Sequence, residues 1–283
     1  MKTCNLIICL GILLLNGCNN AQQVNEKHRY ISLAPANTEI LFRLGLQDKL
    51  VGVTDFCNYP KEAEQIPSVG SFSSPSIEKI VSLKPDIIFT TGLEQAIIVE
   101  NLRKLNLNVY ICQPTNMEEL FMSIEEIGKL TKNSAQAKRL IDSMKKEIAI
   151  VQAKLKKIPL NKRKKVFVEI WHAPLMTAGK GSFIDELIVL TGGINIAHNT
   201  PRPYSYFSAE KVVEYNPDYI LLAHTECFNA ENIKNRVGWK DITAVKEGNL
   251  IVEIDPDMFL RAGPRLVDAL KQIHNRIYEG NRK

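Results

Sequence analysis

The sequence predicts an α/β protein of two similar lobes, each built on a mostly parallel central sheet, joined by one long rigid helix. Three observations predict it. Strand-length apolar runs alternate with helical segments through most of the 283 residues, the pattern of a parallel sheet covered on both faces. The phrase SIEKIVSLKPDII, starting at Ser76, returns as SAEKVVEYNPDYI at Ser208, an offset of 132 positions and close to half the chain. So long a period indicates a duplicated lobe rather than a solenoid. Between the copies, the segment 134–158 lacks glycine and proline and carries Ala137, Ile141, Met144, Ile148, Val151, Leu155 and Ile158 at alternating steps of four and three. That is a single apolar stripe on a helix.

The elements follow in order. Met1-Lys2 gives a positive start, and 6–15 is an apolar run too short to cross a bilayer, so a signal peptide is expected. It ends in Leu15-Asn16-Gly17-Cys18, which resembles a bacterial lipobox with Cys18 as the lipidated residue. Residues 1–18 are thus signal peptide and lipobox, 19–28 a flexible tether, 29–133 the first lobe, 134–159 the connecting helix and 160–283 the second lobe. In the first lobe, strands are expected at 30–34, 50–53, 86–90 and 108–112. Helices are expected from Pro35 to Leu44, closed by Gly45, from the Ser76 cap to about Leu83, and over 95–105. The second lobe repeats the order, with strands at 165–170, 218–223 and 250–254. Its helices are expected at 183–190 before Gly192-Gly193, from the Ser208 cap to Pro217, and over 264–278. Ala34-Pro35 and Ala173-Pro174 read as equivalent loops. The stripe on 134–158 could also be a coiled-coil seam. Fewer than four heptads are present, and a helix lying across two lobes needs that stripe, so a connecting helix of roughly 35 Å is the better reading.

Composition narrows function. Apolar residues make up 45% and charged residues 24%, with a net charge of +5, which is normal for a chain that buries real cores. The lysines are scattered, apart from Lys162 to Lys165 ahead of a strand, so no nucleic-acid surface is indicated. Of six cysteines, Cys4, Cys9 and Cys18 belong to the signal and anchor. Cys57, Cys112 and Cys227 are odd in number and lack Cys-x-x-Cys spacing, so neither zinc site nor disulfide framework is read, although one pair could oxidise in an exported protein. Gly-x-Ser-x-Gly, His-Glu-x-x-His and P-loop motifs are absent, so no catalytic residues are assigned.

The chain resembles the solute-binding proteins that serve cobalamin, haem and ferric-siderophore ABC importers, a helical-backbone, class III periplasmic-binding-protein-like group. The stretches SLAPANTEILFRLG (32–45), VGVTDFCNYP (51–60), MTAGKGSFIDELIVLTGG (176–193) and DMFLRAGPRLVDAL (257–270) are most similar to the cobalamin-binding members. The resemblance implies a lipoprotein, not an enzyme, that captures cobalamin or a related corrinoid between its lobes. It would deliver that ligand to a permease dimer with its ATPase, acting as a monomer held in the cell envelope by its lipid. Corrinoid would be transported ligand, not catalytic cofactor. A haem or ferric siderophore is the alternative ligand, and a chelatase-like enzyme the alternative class.

A corrinoid has apolar faces and a rim of amides, so its cleft needs aromatic walls and a few polar groups. Phe56, Phe72, Trp171, Tyr204, Tyr206 and Phe259 are expected in loops beside strands and helices, where α/β lobes meet ligands. By resemblance, Phe56, Phe72 and Tyr204 are cleft aromatics and Asp257 and Arg261 polar contacts, with Pro35, Ala36, Asn37, Trp171 and Phe259 completing the set. The usual wall has larger rings than Phe72 and Tyr204, and Thr91 stands where another aromatic would be expected. No resident metal is expected; His172 would be a ligand only to a haem-like group, and is otherwise a hydrogen-bonded loop histidine. Trp239 and Tyr219 are assigned to core or surface. Glu78 and Glu210, at matched places in the repeated phrase, are favoured at helix N-termini on local grounds alone. The resemblance makes them in addition a pair of docking knobs for a two-fold permease.

Overall fold

The computed structural model describes residues 28–224 and 230–280. The signal segment, Cys18, most of the tether and Cys227 lie outside the described residues.

The first lobe runs β1 (Tyr30–Ser32), α1 (Pro35–Arg43), β2 (Leu50–Val53), α2 (Ile77–Ser82), β3 (Ile87–Thr90), α3 (Ala96–Lys104), β4 (Val109–Ile111) and α4 (Met117–Leu130). The helix α5 (Ser134–Leu155) leads to β5 (Lys165–Glu169), β6 (Trp171–His172), β7 (Leu175–Ala178), α6 (Phe183–Leu190), β8 (Ile194–Asn195) and β9 (Tyr204–Tyr206). Then come α7 (Ala209–Tyr215), β10 (Tyr219–Leu222), α8 (Ala230–Lys234), α9 (Thr243–Lys246), β11 (Leu250–Ile251), α10 (Asp257–Leu260) and α11 (Leu266–Tyr278). The first sheet has the order β2-β1-β3-β4 and the second β8-β5-β10-β11, both all parallel. Pairing β5 with β1, β8 with β2, β10 with β3 and β11 with β4 makes the two orders identical. The two-lobed α/β reading therefore holds, and the central strands β3 and β10 are buried along their whole length, as parallel strands under helices must be.

The repeated phrase has a local physical reason in each copy. Ser76 Oγ accepts the Lys79 amide at 3.2 Å, and Ser208 Oγ accepts that of Lys211 at 3.3 Å, so each serine caps its helix. Each helix leaves through a left-handed residue, Lys84 at φ 46° and Asn216 at φ 44°, directly before Pro85 or Pro217. The aspartate after each proline then ties strand to strand. Asp86 Oδ2 accepts the Arg29 amide and Asp218 Oδ2 the Lys165 amide, both at 2.7 Å. Ser, Pro and Asp recur because cap, stop and strand tie recur.

The helix α5 buries Ala137, Leu140, Met144, Ile148, Val151 and Leu155 and packs on α4 of the first lobe and α11 of the second. One hydrophobic cluster, including Tyr30, Phe89, Leu120, Met144, Val168 and Leu270, therefore runs through both lobes. The helix ends at Leu155, three residues short of the expected Ile158. The α conformation is disfavoured next to Pro159, and Lys157 and Ile158 instead form tight turns onto Lys154 and Leu155. Gly192, at φ 87°, closes α6; a Cβ there would lie 2.2 Å from the Leu155 side chain, so the position serves both the left-handed cap and the contact with α5.

The edge strand β8 was not expected, nor were two larger parts. The helix α4 begins at an Asn116 cap and buries Met117, Leu120, Phe121, Ile124 and Ile127, a helical spacing that was present in the sequence. The strands β6, β7 and β9 form a small antiparallel sheet. Ala173-Pro174 is its hairpin turn, whereas Pro35 opens a helix. The two Ala-Pro loops are thus not equivalent, since one reverses the chain and the other starts α1.

Candidate functional site

A cavity of about 450 Å³ opens between the lobes, within the range of small-molecule sites. One wall comes from the segments that leave β1 to β4 at their carboxyl ends: Ala34 to Asn37, Phe56, Phe72, Thr91, Glu94, and Cys112 to Pro114. Asp257, Leu260, Arg261 and Ala262 of the second lobe close it. Of the residues singled out in the sequence, Pro35, Ala36, Asn37, Phe56, Phe72, Asp257 and Arg261 meet here.

Buried side chains set this wall. The Asn37 amide donates to the Thr90 carbonyl at 3.0 Å, fixing the first turn of α1 on the end of β3. Gln95, fully buried, donates to the Leu33 and Phe72 carbonyls, both at 2.8 Å, and accepts the Thr91 amide at 3.0 Å. It ties three strands of backbone around the cavity and positions Phe72. Sequence reasoning missed Gln95, because its role exists only once residues 33, 72 and 91 are neighbours. Gln113 lies over Gly92, where any Cβ would overlap it. The missed Cys112 to Pro114 stretch was accessible, since it leaves β4 as Ala34 leaves β1.

The polar edge is largely self-neutralised. The Arg261 guanidinium lies 2.5 Å from Asp257 Oδ2, donates to Asn58 Oδ1 at 2.8 Å and stands 3.7 Å from Glu39. Beneath it, Arg265 grips Glu39 through two bonds of 3.0 and 2.8 Å, and reaches Asp255 at 2.9 Å. Its guanidinium also stacks 4.0 Å from the Tyr59 ring centre. This buried fork joins α1 of the first lobe to the start of α11. Burial pushes the Glu39 carboxyl up, against the pull of Arg265, while Arg265 is itself held further on its charged side by Glu39 and Asp255. The two ends respond oppositely because desolvation wins at the more buried carboxylate and partner charge wins at the guanidinium.

Three expected contacts stand outside this cavity. Phe259 is 1% exposed and belongs to the main core; it points inward from α10 because the helix turns Asp257 and Arg261 toward the cavity. Trp171 and Tyr204 are in strands rather than loops, and neither lines the cavity. Tyr206 is in the same strand as Tyr204 and borders a different hollow. Tyr204 is half exposed. Its phenol is held above its ordinary value by burial and then by the charge of Glu94. His172 is likewise in a strand, not a loop. Trp239 and Tyr219 are buried core.

Glu78 and Glu210 are both exposed and held alike. Ser76 Oγ donates to Glu78 at 3.0 Å, and Ser208 Oγ donates to Glu210. At Glu78 its own backbone amide and then Ser76 lower the carboxyl pKa; at Glu210 the order is Ser208 and then the backbone amide. Cys57 and Cys112 are both free and buried, and burial raises the Cys112 thiol to about 11. Among the described residues, no helix is long and apolar enough to cross a membrane.

The sequence profile of the family described as periplasmic binding protein matches residues 31–257. The chain is 33% identical over 258 residues to the ABC transporter substrate-binding lipoprotein YvrC of Bacillus subtilis, covering 89% of this chain and 81% of that one. It is 28% identical to the vitamin B12-binding protein of Salmonella typhimurium, covering 89% and 91%. The solved vitamin B12-binding protein BtuF of Vibrio cholerae superposes with a TM-score of 0.74 at 26% identity, over 90% and 98% of the two chains. A possible iron-binding periplasmic solute-binding protein of Staphylococcus epidermidis gives 0.79 at 28% identity, over 89% and 98%.

Proposed function

Because the chain belongs to the periplasmic binding protein family, a family of solute-binding proteins rather than enzymes, we propose that it captures cobalamin or a related corrinoid between its lobes for an ABC importer. The observation that carries this reading is the cavity itself. Its walls are mainly apolar, with Phe56 and Phe72 as the aromatics; of its three charged residues, Asp257 and Arg261 neutralise each other and Glu94 stands apart from them. A neutral ring with apolar faces and rim amides suits such a site; an anionic ligand would meet an arginine already occupied. The relatives named for vitamin B12 support the corrinoid choice. In the proposed pose one edge of the macrocycle enters beside Phe56 and Phe72. Tyr204 covers the part that overhangs, while Asp257 and Arg261 bond rim amides; Trp171 extends this wall and Phe259 supports α10 from behind. Calorimetry of the full chain with cobalamin tests it. Tyr204→Ala should weaken binding by roughly 1–3 kcal/mol, the range for an aromatic ring that the ligand covers on binding. Unchanged affinity removes Tyr204 from the site, and absence of binding to the parent overturns the corrinoid reading.

The reading includes export, lipid anchoring through Cys18, lobes at 29–133 and 160–283 on the 134–159 connector, and action as a monomer with a permease dimer and its ATPase. The common bonding and exposure of Glu78 and Glu210 support their use as one docking knob per lobe against a two-fold partner. Exposed charge pairs fix register and speed encounter more than they add affinity. Glu78→Ala with Glu210→Ala is expected to leave cobalamin affinity unchanged and to reduce vesicle transport more than either single change. A double variant that transports like the parent would leave the two glutamates as helix caps only.

A further inference from the structure

We propose that His172 and His224 form a two-nitrogen site for a divalent transition-metal cation such as zinc, on the second lobe behind Trp171, the residue that the proposed function sets at the edge of the corrinoid wall. The Nδ1 atoms of both rings are buried and have no hydrogen-bond partner among the described residues. The rings are neighbours, with centroids 5.3 Å apart and planes at 38°. Buried polar atoms are normally paired, and two orphaned nitrogens on touching rings point to one shared occupant. A centroid spacing of that size is compatible with two nitrogen–metal bonds of about 2.0–2.1 Å to one ion.

The other nitrogen of His224 fixes its tautomer. His224 Nε2 lies 2.9 Å from Glu169 Oε1. Both Glu169 oxygens also accept from Arg236, at 2.5 and 2.8 Å, and a carboxylate so engaged is an acceptor toward the imidazole. Nε2 therefore donates, and a neutral ring presents Nδ1 as a bare lone pair. A carboxylate behind an imidazole is the arrangement that orients metal-ligating histidines and raises their basicity. Trp171 packs on both rings, at 5.0 and 5.9 Å between centroids, and His172 is held by pairing of β6 with β7. The two donors are thus preorganised. They stand at the ends of β5 and β10, the edge that in the first lobe supplies Ala34 and Thr91 to the cavity.

Among the described residues, no group of three or more His, Cys, Asp or Glu is arranged to hold a metal. The protein therefore gives two nitrogens, and the remaining positions belong to water or to donors that the cation brings with it. Imidazole nitrogen suits zinc, copper and nickel and gives little to magnesium or calcium.

The test uses zinc ion alone with the untagged full chain, without corrinoid, so its outcome is independent of the transport reading. Calorimetry is expected to show one saturable site. In nitrogen-correlated spectra of the imidazoles, the Nδ1 signals of His172 and His224 should shift with zinc, while those of His28, His198 and His274 stay in place. His172→Gln and His224→Gln should each weaken zinc binding at least tenfold, on the order of what loss of an outer-shell partner alone costs, and magnesium should not compete. The spectra of the parent decide the matter even where a variant folds poorly. Static Nδ1 signals, the lack of a saturable site, or a folded double variant that binds zinc like the parent would overturn the proposal.

Discussion

An Arg265→Ala chain is expected to lose about 3–5 kcal/mol of unfolding free energy, the usual consequence of stripping one partner from a buried ion pair. Glu39 is 2% exposed, and Arg265 supplies two of the bonds that its carboxylate accepts. Removing the guanidinium leaves that charge between the lobes without its main partner. The pH dependence has a definite sign. Burial already raises Glu39 above its ordinary value, so the folded chain holds this proton to higher pH than the unfolded chain does. Stability from this group therefore falls as pH rises from the ordinary carboxylate range through the raised value. Without Arg265 the carboxyl rises further, so the deficit of the variant should be largest at about pH 8 and shrink toward about pH 5. Urea titrations at both values measure it. A deficit below about 1 kcal/mol, or one that does not change with pH, would mean that Glu39 finds another partner. Replacing both residues by apolar ones of similar volume should cost far less, since neither charge is then buried alone.

Phe89→Ala is expected to cost about 3–5 kcal/mol, the range for deleting a core ring. Phe89 is fully buried in β3, edge-on to Tyr30 at 5.9 Å and to Tyr110 at 6.0 Å. Its cluster continues through α5 into the second lobe, so the loss should be felt by the whole molecule. The two tryptophans, Trp171 and Trp239, are both in the second lobe and report on it by fluorescence. Their transition should shift to lower urea by the same amount as the far-ultraviolet signal from both lobes. If tryptophan fluorescence keeps the parent midpoint while the helical signal splits, the lobes unfold separately and the shared core does not couple them.

Local signals explain why the fold was legible. Ser76, Pro85 and Asp86 and their partners Ser208, Pro217 and Asp218 act within a few residues or on the adjacent strand, so the repeated phrase exposed both the elements and the duplication. Pro35, Ala36 and Asn37 and the Asp257 to Arg261 stretch were legible through the resemblance, and the fold places them on one cavity. Phe259 is core rather than cleft because a four-residue helix turns its faces through about 100° per residue, and only packing selects which face is inward. Trp171, Tyr204 and Tyr206 read as loop residues in the sequence because the strands of two to four residues around them are too short to show a period.

The sequence by itself determined two α/β lobes, their internal repeat, the caps and stops of α2 and α7, and a connector without a hinge residue, because each depends on neighbours close along the chain. Tertiary structure alone decided which residues share the cavity, that Gln95 holds its wall, that Glu39 and Arg265 meet across 226 positions, and that the Nδ1 atoms of His172 and His224 are left without partners. The physical reason is range: helix caps and strand ties are set by local geometry, whereas burial and long-range pairing exist only after the two sheets and α5 have closed on one another.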